Sequence, residues 1–81
     1  MIKLEAKTKL SREEVVERLK RFLGKGGLGL EMTDETPECL YFEGGGGYVT
    51  ATACSEEGET RLNLVAQEWE FQAKKFISEL P

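Results

Sequence analysis

The sequence predicts a single α+β domain over residues 1–81, with two layers: a five-stranded antiparallel sheet and two helices on one of its faces, in the order β-α-β-β-β-β-α. Three observations carry this reading. Two stretches repeat their apolar residues at helical spacing, and five others alternate apolar with polar residues. The connections between the last four strands are short enough for hairpins. Eighty-one residues are enough for one modest core and no second one.

Ile2, Leu4, Ala6 and Thr8 alternate with Lys3, Glu5, Lys7 and Lys9, the period of a strand with one buried face. Ser11-Arg12-Glu13-Glu14 then forms a capping box, and Leu10 before it can staple against Val15 or Val16. Val15, Val16, Leu19, Phe22 and Leu23 make one apolar stripe, which predicts a helix over 12–23. Gly24 stands where a left-handed C-terminal cap is wanted.

Leu28, Leu30 and Met32 alternate with Gly29, Glu31 and Thr33, giving a second strand closed by the turn Asp34-Glu35-Thr36-Pro37. A third strand covers 38–43, where Leu40 and Phe42 oppose Cys39 and Tyr41. In the run Tyr48–Ser55, Val49, Ala51 and Ala53 alternate with Tyr48, Thr50, Thr52 and Cys54. Glu56-Glu57-Gly58-Glu59 is a tight hairpin, after which Leu62, Leu64 and Ala66 alternate with Arg61, Asn63 and Val65. From Glu68 the period changes to helical, with Trp69, Ala73, Phe76, Ile77 and Leu80 on one face. The hairpins make strands two to five a meander, and the first helix carries the chain across so that strand one lies beside strand five.

This order of elements, from strand Ile2–Lys9 through helix Arg12–Leu23 and the meander to the helix around Trp69–Leu80, resembles one repeat of the TATA-binding-protein fold. It is also similar to a reduced helix-grip domain of the START and Bet v 1 kind. The segments Phe42-Glu43-Gly44-Gly45-Gly46-Gly47-Tyr48-Val49 and Gln67-Glu68-Trp69-Glu70 are similar to a family of small uncharacterised proteins, which implies no function. Two departures matter: a DNA-binding sheet needs basic residues where Glu31 and acidic hairpins stand, and a lipid-binding helix-grip domain is much longer.

Composition removes several classes of chemistry. There is no histidine, so the usual general base and metal ligand are missing. Cys39 and Cys54 are too few and too far apart for a zinc site or a disulfide framework; they read as reduced thiols on strands. No catalytic residues, cofactor or metal are expected, and the chain is not read as an enzyme. Gly24-Lys25-Gly26-Gly27-Leu28-Gly29 matches the dinucleotide fingerprint by letter, but it closes a helix instead of opening one, and so presents carbonyls to any phosphate. No apolar run approaches a membrane span, and the N-terminus lacks a signal-peptide core, so the expected location is the cytoplasm. Residues 28–59 carry eight acidic and no basic residues, against a net of +4 over 1–27. That excess of negative charge opposes nucleic-acid binding and suits association between basic and acidic surfaces.

The four consecutive glycines Gly44, Gly45, Gly46 and Gly47 are the least expected residues. Wherever alanine could adopt the same conformation, such a run would cost very roughly 2–4 kcal/mol. A turn with positive φ accounts for two of them, and the others imply a backbone that something approaches closely. Tyr41, Glu43 and Tyr48 flank the run, the tyrosines facing away from the helices with Thr50, Thr52 and Val65. Phe71 lies on the wet side of the last helix. These eight residues are the candidate ligand or partner site. The expected function is a small non-catalytic binding or interaction domain that self-associates through its uncovered sheet face, with a homodimer or a protein partner expected there. The alternative is a minimal small-molecule or lipid-binding domain whose cavity a dimer closes over Tyr41 and Tyr48.

Overall fold

The alternating runs become β1 (Ile2–Thr8), β2 (Glu31–Glu35), β3 (Cys39–Gly44), β4 (Gly47–Glu56) and β5 (Glu59–Gln67) in the computed structural model, which describes Met1–Pro81. The two helical stretches are α1 (Arg12–Leu23) and α2 (Glu70–Ser78). All strand pairs are antiparallel and the sheet order is β1-β5-β4-β3-β2, so β1 lies beside β5 as the crossover demands. The expected α+β class and element order are both present.

Side-chain period decides which face is dry. Leu40 and Phe42 of β3, Val49, Ala51 and Ala53 of β4, and Leu62, Leu64 and Ala66 of β5 are all buried on one face. Val15, Leu19 and Leu23 of α1 and Ala73 and Phe76 of α2 close over them as the second layer. Phe22 and Phe76 meet between the helices with ring centroids 5.6 Å apart. Ser11 caps α1, its hydroxyl accepting from the Glu14 amide at 3.2 Å. The Arg12 guanidinium donates to the Ala53 carbonyl at 3.0 Å, tying the start of α1 to β4. At the opposite end of the chain, the Thr8 hydroxyl donates to the Pro81 carbonyl at 3.0 Å.

Three local expectations need correction. The second strand runs over 31–35, not 28–33, because residues 24–30 serve the end of α1. The amides of Gly24, Leu28 and Leu30 donate to the carbonyls of Lys20, Phe22 and Leu23, so orphan helix carbonyls consume the donors a strand would need. Asp34 and Glu35 therefore lie in β2, with a bulge between Met32 and Asp34, and the turn falls on 36–38. Gly24 is extended, at φ −86° and ψ −155°; the left-handed glycines of this connection are Gly26 at φ 92° and Gly29 at φ 81°. The last helix begins at Glu70, because Glu68 turns left-handed at φ 70° and leaves Trp69 at the N-cap. Trp69 consequently does not lie within α2.

Candidate functional site

Alternate residues of the same strands form the face that no helix covers. Register fixes its rows. Lys3, Val65, Thr50, Tyr41 and Asp34 lie side by side across all five strands. Glu5, Asn63, Thr52 and Cys39 form the next row, then Lys7, Arg61 and Cys54. On the other side of the first row lie Gln67, Tyr48, Glu43 and Glu31. Tyr41, Tyr48, Thr50, Thr52, Cys39, Cys54, Asn63 and Val65 are all half-buried although no second layer covers them.

Charge is absent from the middle of this face; the β1 edge carries Lys3, Glu5 and Lys7, and the β2–β3 edge carries Glu31, Asp34 and Glu43. Between Arg61 and Glu43 the centre holds threonine, tyrosine, cysteine, asparagine and valine. Lys3 and Lys7 on the β1 edge form no ion pair within the chain. Neither do Glu31, Asp34 and Glu43 at the β2–β3 edge. Arg61 is the exception: its Nε lies 3.1 Å from Glu56, without the alignment of a hydrogen bond, and 4.0 Å from Glu5. Tyr48 leans along the face, its hydroxyl donating to Met1 Sδ at 3.2 Å.

Two ionisable groups depart from their ordinary behaviour. Hydrogen bonding to Cys39 holds the Tyr41 phenol above its usual pKa, and charge on Cys39, desolvation and Asp34 push the same way. Glu70 is held below the usual carboxylate range, first by its own backbone amide at the start of α2 and then by the N-terminal amine 3.3 Å away. Neither converges with a second acid in a cleft.

The glycine run belongs to a different part of the molecule from the open face. Gly44 and Gly47 pair as the last rung of β3 and β4, leaving Gly45 and Gly46 as a two-residue turn at φ 58° and 82°. The expectation of two positive-φ glycines holds. The close approach expected of a ligand is made by the chain's own β5–α2 corner. A Cβ on Gly45 would lie 2.7 Å from Trp69 Cζ2, and one on Gly47 would overlap the Gln67 carbonyl oxygen. The Trp69 indole N–H donates to the Gly44 carbonyl at 2.7 Å, latching the corner onto the turn. On Gly44 a Cβ would meet Leu30 Cα at 3.3 Å, whereas Gly46 faces open space.

The eight candidate residues therefore divide. Tyr41, Glu43 and Tyr48 share the open face; Gly44 and Gly47 are half-buried; Gly45 and Gly46 form the exposed tip, with Trp69 against the Cβ side of Gly45 alone. Phe71 is 74% exposed on the first turn of α2, in the helix layer, and is not part of the open face. Sequence reasoning missed Lys3, Glu31 and Asp34 as companions of the tyrosines. The alternation of β1 signals the first, whereas the bulge that turns Asp34 toward Tyr41 has no sequence signature.

No cluster of three metal-ligating side chains occurs. No helix is long and apolar enough to cross a membrane. Three grooves, of about 310, 480 and 350 Å³, lie along α1 and its ends, and none is lined by Tyr41 or Tyr48. No protein-family description matches this sequence, and comparison with curated proteins finds no significant relative.

Proposed function

We propose that this chain is a small non-catalytic interaction domain of the cytoplasm that self-associates through the uncovered face of its sheet. The observation that carries the reading is the uncharged centre of that face. A solvated sheet face is ordinarily polar, yet β4 presents no charge there and a run of Tyr48, Thr50, Thr52 and Cys54. Facing sheets pack about 10 Å apart, a separation that small β-branched side chains fill and lysines do not. Tyrosine adds apolar area while its hydroxyl stays satisfied.

A ligand cavity closed between two copies would need Tyr41 and Tyr48 to stand up and hold the sheets apart. Tyr48 is instead laid toward Met1, which favours direct packing.

Mass measured by light scattering across a concentration series tests the proposal. The wild type is expected to reach dimer mass by about 100 μM, the range for a small interface. Thr50→Lys is expected to remain a monomer while losing no more than about 1 kcal/mol of stability, since it sits on a face that the folded monomer leaves open. A wild type that stays monomeric at that concentration overturns the reading.

A further inference from the structure

We infer that the two copies pack with a two-fold axis running parallel to β4, so that β4 faces β4 and the β1 edge of each copy lies over the β2 edge of the other. This deepens the proposed self-association and rests on it. Charge selects the axis. Two sheets laid face to face by a two-fold axis have two aligned choices: along the strands or across them. An axis across the strands through the Glu5 row stacks β1 on β1, setting unpaired Lys3 against Lys7 of the second copy and Glu5 against its own, and stacks the acidic β2–β3 edge on itself. An axis along the strands reverses the strand order instead. Lys3 then lies over Asp34 of the second copy, because both belong to one row of the sheet, two strands from β4 on either side.

The same operation sorts the centre of the face. Residues on β4 meet themselves: Thr50 and Thr52 at the centre are short, and at the two ends Tyr48, laid toward Met1, and Cys54 meet their own copies. Residues on β3 meet β5: Tyr41 lies over Val65, a large side chain against a smaller one, and Cys39 over Asn63, two of similar size. Size is adequate. The sixteen positions of the four rows, at about 4.8 Å between strands and about 6.7 Å between rows, give a patch of roughly 500 Å² per copy, or about 1,000 Å² buried in all. That just meets the ~1,000 Å² expected of a specific interface and puts it at the weak end of the range. In a small interface, charge at the edges decides register more than affinity does.

Single-cysteine cross-linking reads the axis directly. In a background of Cys39→Ser and Cys54→Ser, Thr52→Cys is expected to give a covalent dimer with a short bifunctional thiol reagent, because facing strands lie about 10 Å apart, beyond the reach of a direct disulfide. Glu5→Cys in the same background is expected not to, since the two copies of β1 stand about 20 Å apart, each two strands from the axis. Charge reversal gives an independent readout by sedimentation equilibrium. Lys3→Glu alone and Asp34→Lys alone are each expected to weaken the dimer about tenfold, and the double variant to recover to within about threefold of wild type. A dimer that cross-links through Glu5→Cys as readily as through Thr52→Cys, or through neither, overturns this axis and leaves the self-association standing. So does a dimer whose two reversals add instead of compensating. Loss of every dimer signal, in the background protein as well, sinks both.

Discussion

The two tight hairpins have the same backbone and opposite surroundings. β3 and β4 are joined by Gly45-Gly46 at φ 58° and 82°; β4 and β5 are joined by Glu57-Gly58 at 45° and 82°. Both turns put two residues in the left-handed region, as the right-handed twist of the flanking strands requires. Yet one uses glycine first and the other glutamate. The left-handed conformation alone therefore does not explain Gly45, since Glu57 adopts it at a cost of about 1–2 kcal/mol. The difference is the neighbour: Trp69 occupies the place where a Cβ on Gly45 would go, whereas Glu57 stands exposed. Glycine at position 45 serves packing, and glycine at 46 and 58 serves conformation.

Removing the neighbour is the strongest way to break the comparison. Trp69→Ala is expected to cost about 2–4 kcal/mol in denaturant titration. It strips apolar cover from the core edge and leaves the Gly44 carbonyl without its indole donor. The half-buried setting puts the figure below that of a tryptophan sealed between helix and sheet. A loss under about 1 kcal/mol would mean that the latch is ornamental.

Next in size is Gly45→Ala, expected to cost about 2–3 kcal/mol because strain at positive φ adds to overlap with the indole. The informative measurement is the cycle with Trp69→Ala. In that background the overlap is gone, and Gly45→Ala is expected to cost only about 1 kcal/mol, as conformation alone demands. Additive losses would show that the indole gives way freely, and then the two hairpins would not differ in kind.

How much of this was legible in the sequence follows from what each signal reports. Alternation and helical spacing report burial, and burial decided the element order and both faces of the sheet. Hence Val15, Leu19, Phe42 and Leu64 were identifiable as core. The boundaries that moved are those governed by hydrogen bonds, which leave no periodicity: Leu28 and Leu30 look like strand residues because they are apolar, but their amides belong to the end of α1. The glycine run announced a close approach without naming the visitor. Trp69 is 24 residues beyond Gly45 in the chain, and only the left-handed turn at Glu68 swings it onto the hairpin. The open face was half legible. Its tyrosines and threonines follow from alternation, while its acidic edge depends on a bulge.

A smaller effect separates the two glycines within one turn. A side chain on Gly46 meets nothing, so only its φ of 82° is at stake. Gly46→Ala is expected to cost about 1 kcal/mol and Gly46→Asn less than about 0.5, because asparagine tolerates the left-handed region. Neither cost should change when Trp69 is absent. Coupling between position 46 and Trp69 would mean that the indole braces the whole turn and not the first glycine alone.

The smallest expected effect is a gain. At Glu57 the backbone asks for a left-handed residue and the surroundings ask for nothing, so asparagine should be the better choice: Asn-Gly is the favoured pair for this turn. Glu57→Asn is expected to stabilise the fold by about 0.5–1 kcal/mol in denaturant titration, with an unchanged slope. The substitution also removes a negative charge between Glu56 and Glu59, which face each other across the last rung of the hairpin. Glu57→Gln separates the two causes, because it discards the charge and keeps a side chain poorly suited to positive φ. If conformation is the reason, asparagine stabilises and glutamine does not; if charge is the reason, both gain alike. Asparagine at 45, with the same φ sign and a neighbouring indole, should cost stability where asparagine at 57 adds it. Opposite signs for one substitution at two matched turns would isolate Trp69 as the difference between them.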